Sequence, residues 1–268
     1  MTFDLGPALL FCPADRPERF RKAVERADAI ILDLEDAVLP EAKDAARRNI
    51  VEADLDPARV IVRVNALDSE AFAADLAVLA QTEFRTVMVA KTESVESLSA
   101  FDERYSLIAL CETAVGVHAA DRIAAHPRVS AMMWGAEDLV ASLGGTASRN
   151  AEGVYRDIAR YARARILLEA GAHGKAAIDA VHIDLEDAEG LEREATDAAA
   201  SGFRATACIH PSQVAAIRAA YRPDDETVAW ARAVLIAAET ERGVFRFQGR
   251  MVDEPVLRHA RSVVSRAG

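Results

Sequence analysis

The order of elements along the 268 residues predicts an α/β chain, a (β/α)8 TIM barrel with a C-terminal helical extension. Two observations carry this. Eight short β-branched or apolar runs alternate with Ala-, Arg- and Glu-rich segments of helical spacing, and polar landmarks near the run ends recur 21 to 29 residues apart, save one interval of 46 after Asp138. The runs are apolar almost throughout, the mark of parallel strands covered by helices, and eight such units are the number that closes a barrel. A doubly wound open sheet is the competing architecture. It would place a Gly-rich phosphate turn after its first strand, where this chain reads CPADRPERF.

Strand one is expected at 8–13 (ALLFCP), with a helix at 17–26 entered through Pro17. Strands two and three are expected at 29–36 (AIILDLED) and 60–65 (VIVRVN), the latter leading into a helix at 69–81. Strands four, five and six follow at 86–91 (TVMVAK), 106–113 (SLIALCET) and 131–138 (AMMWGAED). The long interval after Asp138 holds LGGTASRN, a glycine-bearing loop expected to drape over the barrel mouth, before a helix at 154–170. Strand seven at 177–184, a helix at 189–201 and strand eight at 205–211 complete the barrel.

The 57 residues after Pro211 exceed what one closing helix needs. They read as a helix from Ser212, a break at RPDDE, a helix from Glu226, the segment GVFRFQGRMVD and a last helix near Glu254. Residues 1–211 are thus expected to carry the barrel and 212–268 the closing helix and an extension of the same domain, reaching a neighbouring subunit. An echo, LDLEDA at Leu32 and IDLEDA at Ile183, falls on strands two and seven of this scheme; a half-barrel duplication would offset by four strands, so it reads as coincidence.

Composition excludes several classes. A net charge of −11 repels phosphate backbones and anionic lipids, so nucleic acid is not an expected partner. No apolar run approaches the roughly 20 residues of a membrane span. The first ten residues, MTFDLGPALL, carry an acid where a secretion signal carries bases, and a cytoplasmic protein is expected. The three cysteines, Cys12, Cys111 and Cys208, sit inside apolar runs and read as core residues, not as a disulfide or zinc framework.

In a barrel enzyme the chemistry sits at the carboxyl ends of the strands. Here those ends offer Asp15 and Arg16, then Asp33, Glu35 and Asp36, then Arg63 and Asn65, Lys91, Glu112, Glu137 and Asp138, and His210. Any one of these alone is an ordinary solvated loop residue or cap. Their coincidence on most strands is not ordinary, because burying several carboxylates beside Arg63 and Lys91 is costly unless they pair or hold a metal. Glu112 and Asp138 end consecutive strands in this scheme and offer hard oxygen donors with no soft ligand nearby, a set suited to Mg2+. The alternative is an acidic pair satisfied by Arg63 and Lys91 without metal.

The motifs LFCPADRPERF, IILDLEDAV, VRVN, LCETAVGV, MMWGAEDL and CIHPSQV, in that order, resemble the citrate lyase β-subunit-like proteins of the HpcH/HpaI aldolase and malyl-CoA lyase superfamily. The resemblance runs from about Leu9 to Asp253. It implies a (β/α)8 barrel, a homotrimer, and Mg2+-dependent making or breaking of carbon–carbon bonds at a CoA or acyl-carrier thioester. It also implies metal ligation by Glu112 and Asp138, oxo-acid or enolate binding by Arg63, and an acid/base role for Asp253 of RMVDEP supplied across a subunit interface. Asp253 is equally placed to cap the helix after it. Arg16, Arg19 and Lys22 are implied contacts for the carrier's phosphates, with a solvated basic helix face as the plainer reading, and Glu35, Asp36 and His210 line the expected substrate groove.

The expected activity is cleavage of a short carboxylated β-hydroxyacyl-CoA into an acyl-CoA and an oxo acid through an enolate. Malate synthase or malyl-CoA thioesterase chemistry, and service as the β subunit of a citrate lyase complex, are the alternatives. A catalytically silent scaffold is disfavoured by the presence of Glu112, Asp138, Arg63 and Asp253.

Overall fold

The computed structural model describes residues 3–241 and 243–267. Eight parallel strands form a closed barrel in sequence order: β1 (Ala8–Pro13), β2 (Ala29–Asp33), β3 (Val60–Val64), β4 (Thr86–Val89), β5 (Ser106–Cys111), β6 (Val129–Trp134), β7 (Ala176–Asp179) and β8 (Ala205–Cys208). Closure is made by β1 on β8, with Ala8, Leu9 and Leu10 paired to Thr206, Ala207 and Cys208. The predicted barrel is borne out.

Side chains alternate across a strand, so one set of positions fills the barrel and the other meets the helices. The filling set is an apolar cluster that includes Leu9, Ala29, Ile31, Ile61, Met88, Ile108, Leu110, Ala131, Met133, Ile178 and Ala207, with Phe11 packed against it. The complementary positions, among them Leu10, Ile30, Leu32 and Val62, are fully or almost fully buried too. Burial on both faces explains why the runs are apolar without a break. All three cysteines are buried core residues and none is in a disulfide, as expected.

Several strands stop short of their expected ends. β2 ends at Asp33, β5 at Cys111, β6 at Trp134, β7 at Asp179 and β8 at Cys208. The polar residues beyond them are loop, because ladder bonding ends where the neighbouring strand ends. Two corrections follow. Glu137 and Asp138 are not on strand six but in the first turn of the helix Ala136–Ser142, entered through Gly135. The second member of the LDLEDA/IDLEDA pair lies in the loop after β7 and runs into the first residue of the helix Ala188–Ser201, so the echo is not a repeat of strands at all.

The chain divides into two compact units at Ile217/Arg218, inside the helix Val214–Tyr221. The second unit contains the helix Asp225–Ala238, capped by Asp224 through its carboxylate on the Thr227 N–H at 2.6 Å. An antiparallel hairpin follows, β9 (Phe245–Phe247) and β10 (Arg250–Val252), and then the helix Glu254–Ala267. Ala231, Val234, Val252, Leu257, Ala260 and Val263 form its own core. No helix among the described residues is long and apolar enough to cross a membrane.

Candidate active site

The inward register that fills the barrel runs on to the carboxyl ends of the strands, where on β2, β3 and just after β5 it turns from apolar to charged. After Leu9 comes Phe11, after Ile31 comes Asp33, after Ile61 comes Arg63, after Leu110 comes Glu112, after Met133 comes Gly135 and after Ala207 comes Ile209. The second residue of each pair, with Asp36, Trp134, Glu137, Asp138 and Ala180, lines one cavity of about 360 Å3 at the carboxyl end of the barrel. Parity therefore selects most of the strand-borne members, while Asp36, Glu137 and Asp138 join from loop and helix. His210 is out of phase: it is exposed, its Nδ1 lies 2.7 Å from Ser212 Oγ and accepts from the Ser212 N–H at 3.2 Å, and Ile209 takes the cavity position.

Arg63 is 8% exposed and held rigidly. Its Nε and Nη2 donate to the two oxygens of Asp33 at 2.7 and 2.6 Å, and Nη1 lies 2.8 Å from Glu35 Oε2. The guanidinium stands 5.0 Å from the centre of the Phe11 ring, a cation–π distance. Asp33 is fixed in turn by the N–H groups of Glu35 and Ala37, at 2.9 and 3.2 Å. Burial works against the charge on Arg63, yet Asp33 and Glu35 hold its guanidinium firmly protonated. Three contacts engage three of the five guanidinium N–H groups, leaving two for a ligand.

Glu112 is 3% exposed, and its Oε1 accepts the Lys91 N–H at 3.1 Å. Burial pushes its carboxyl up to about 8; Arg63 pulls the other way, and Asp138 and Glu35 add to the rise. A carboxyl pushed that far is one whose negative charge the protein alone does not neutralise. Gly135 leaves the space Glu112 occupies: a Cβ there would stand 2.9 Å from both Glu112 Cβ and Oε2. Asp138 sits in the first turn of its helix, where the N-terminal dipole favours negative charge, with its side chain 37% exposed.

Lys91 links these groups. Its Nζ touches Glu35 and lies 3.3 Å from Asp36 and 3.6 Å from Asp138. Glu35 is thereby shared between Arg63 and Lys91, and burial nonetheless raises its carboxyl. Asn65 takes no part in the cavity; its amide donates to Asp75 at 2.6 Å and its oxygen accepts from Lys43 at 2.8 Å, bracing the loop beneath. Arg16, Arg19 and Lys22 are exposed beyond β1, with loose ion pairs of 3.9 Å from Arg16 to Asp15 and 3.8 Å from Arg19 to Glu18, and none of them lines the cavity. Asp253 caps the helix Glu254–Ala267, accepting the Val256 N–H at 3.2 Å.

Between the barrel wall and the outer helix Asp157–Ala172 lies a cluster that sequence reasoning missed. Asp179, which ends β7, accepts from the Trp134 indole at 2.6 Å and from Arg163 at 2.9 Å. Arg163 also reaches Asp197 at 2.5 Å. Asp179 carries no motif in the sequence and is out of phase with Ile178 and Ala180, which face the barrel interior, so neither spacing nor motif signalled it. The loop after the helix Ala136–Ser142 is tied to the cavity wall by Ser148 Oγ, which donates to Glu137 Oε1 at 2.6 Å. Arg149 then stacks 3.9 Å over Tyr155 and pairs with Glu194 at 3.0 Å.

A closed barrel with a cluster of acids, one of them the buried Glu112 with its raised carboxyl, and a locked arginine at the carboxyl ends of its strands defines a barrel enzyme. Residues 8–211 match the family model of the HpcH/HpaI aldolase/citrate lyase proteins, and the chain belongs to that family and is an enzyme of the lyase class. It is 54% identical over 263 residues to a citrate lyase subunit beta-like protein of Mycobacterium tuberculosis, covering 98% of this chain and 96% of that one. It is 32% identical over 293 residues to the human mitochondrial citramalyl-CoA lyase, with 97% and 85% covered. The crystal structure of the M. tuberculosis CitE protein in complex with magnesium, acetoacetate and coenzyme A superposes with a TM-score of 0.93 at 54% identity, covering 98% of each chain. Magnesium is the metal of this family, as the resemblance implied.

Proposed function

We propose that the protein is a Mg2+-dependent carbon–carbon lyase that cleaves a short, carboxylated β-hydroxyacyl-CoA into an acyl-CoA and an oxo acid through an enolate. The observation that carries this reading is the convergence of Glu112, Asp138 and Arg63 on one cavity at the barrel mouth. The oxygen-only donor set and the raised Glu112 carboxyl fit a hard divalent cation held by Glu112 and Asp138. When bound, the ion polarises the alcohol oxygen as it becomes a carbonyl.

Arg63, which lines the same cavity, would use its two remaining N–H groups to stabilise the charge that develops there, at little cost in reorganisation because Asp33 and Glu35 already fix the fork. The apolar wall of Phe11, Leu110, Met133 and Ile209 keeps water from the enolate. Asp253, supplied by a neighbouring subunit, takes the hydroxyl proton and returns one to the enolate carbon; capping its helix holds its carboxylate in place. The exposed Arg16 and Lys22 offer cations to the thioester carrier's phosphates, and Glu35, Asp36 and His210 border the substrate groove. The assembly is read as a cytoplasmic homotrimer, with 212–268 as the segment that reaches the neighbour. The malyl-CoA and citramalyl-CoA lyases among the relatives support the substrate class.

Incubating the protein and Mg2+ with malyl-, citramalyl-, citryl- and hydroxymethylglutaryl-CoA, with products identified by mass spectrometry, tests the proposal. Release of an oxo acid with an acyl-CoA is expected. Free CoA without carbon–carbon cleavage would show a thioesterase instead, and no turnover of any of the four would defeat the lyase reading. Light scattering checks the trimer.

A further inference from the structure

Lys91 follows β4 with a backbone φ of +46°, the left-handed region that a residue with a side chain adopts uncommonly. That conformation lets one residue act on both sides of the acidic cluster. Its N–H donates to Glu112 Oε1 at 3.1 Å, while its Nζ touches Glu35 and stands 3.3 Å from Asp36 and 3.6 Å from Asp138. Arg63 cannot serve these groups in the same way, because its fork is locked on Asp33 and Glu35 and buried. Lys91 differs in kind: a compact charge on a flexible four-carbon stem, with 31% of its side chain exposed.

We infer that Lys91 is a positioning residue whose ammonium holds the carboxylates together in the metal-free site and competes with the divalent cation for Asp138. The inference rests on the reading of Glu112 and Asp138 as metal ligands. A divalent ion on Asp138 repels an ammonium only a few ångströms away, so the ammonium must withdraw onto Glu35 and Asp36, which already hold it. Metal entry is thereby opposed by the displaced charge, and an anionic substrate that adds negative charge to the cavity favours it. The backbone N–H on Glu112 is unaffected by this exchange, so one ligand stays fixed while the other is released to the ion.

The test is Mn2+ binding followed by the free-ion electron paramagnetic resonance signal, with Mg2+ as competitor, on the full-length metal-free protein. Lys91→Met is expected to bind Mn2+ at least about tenfold more tightly than wild type, since removing a full charge at this range exceeds that factor even at water-like screening. Lys91→Arg, which keeps the charge, is expected to stay within about threefold of wild type. A purely structural lysine predicts the reverse for Lys91→Met, unchanged or weaker binding, because the carboxylates would be left to spread apart; that result overturns the inference, as does equal tightening in Lys91→Arg.

Asp138→Ala separates the two readings. If it binds Mn2+ as wild type does, the ligand assignment fails and Lys91 falls with it. If it loses Mn2+ while Lys91→Met binds no more tightly, only the Lys91 inference is overturned. Should Lys91→Met fail to fold, a crystal structure of the wild-type chain with Mg2+ decides: Nζ moved beyond about 4 Å from Asp138 and still on Glu35 supports competition, and Nζ still paired with Asp138 beside the bound ion refutes it.

Discussion

Replacing Glu112 by Gln should make the metal-free protein more stable at alkaline pH while abolishing its hold on Mg2+. The carboxyl is raised from 4.5 to about 8, with burial as the main cause. Between those values the folded chain holds a proton that the unfolded chain has released, so stability falls as pH rises from about 4.5 to about 8, and above that the full penalty for a buried anion is present. The span corresponds to about 5 kcal/mol as a ceiling, and water entering the open cavity and local relaxation reduce it to roughly half. Gln is neutral at every pH, and its oxygen can still accept the Lys91 N–H.

At about 2–4 °C per kcal/mol for a chain of this size, the variant should melt roughly 5–10 °C above wild type at pH 9 in EDTA. At pH 4, below both values, the two should melt together, because wild-type Glu112 is then largely protonated in the folded and the unfolded chain alike. Thermal scans at both pH values, followed by calorimetric titration with Mg2+, make the measurement. A Glu112→Gln protein no more stable than wild type at pH 9 would show that Glu112 is neutralised by Arg63 and Lys91 without metal.

Arg63→Lys keeps a charge but cannot engage both Asp33 oxygens and Glu35 at once, and should lose about 2–4 kcal/mol of transition-state stabilisation in kcat/KM; a near-normal value would make Arg63 structural. Gly135→Ala should displace the Glu112 side chain and weaken Mg2+ binding at least tenfold by calorimetry, the clash costing on the order of 1–3 kcal/mol of stability; unchanged affinity would show that Glu112 moves aside freely. Asp253→Asn should keep its helix cap, and hence its melting temperature, while losing activity; full activity in that variant removes the catalytic assignment. Mixing it with inactive Glu112→Ala protomers should restore partial turnover if the aspartate acts across subunits. Inactivity in verified mixed oligomers would place it within its own chain.

Eight strands, their order and their burial on both faces were readable from the chain, because an apolar run of five or six residues is a local feature and a parallel barrel needs nothing else from each strand. The identity of Arg63 and Glu112 as cavity residues was readable for the same reason: each continues, in steps of two, the apolar positions before it. The same parity favours Ile209 over His210, so that distinction too lay in the sequence once the inward phase of β8 was known. Phase is set by the partner strands across the barrel, however, and the tertiary structure supplied it.

Other features had no local signal. Asp138 joins the site from a helix, since β6 ends when its pairing with β5 ends at Trp134. Glu35 and Lys91 meet across 56 positions of sequence, and Gly135 matters only because Glu112 of the neighbouring strand lies against it. Trp134, Arg163 and Asp179 come together from β6, an outer helix and β7. A sequence states which residues are charged and which strand each one follows. Which charges share a few ångströms is set by barrel closure, and that distance decides whether a buried carboxylate is neutralised or left for a metal.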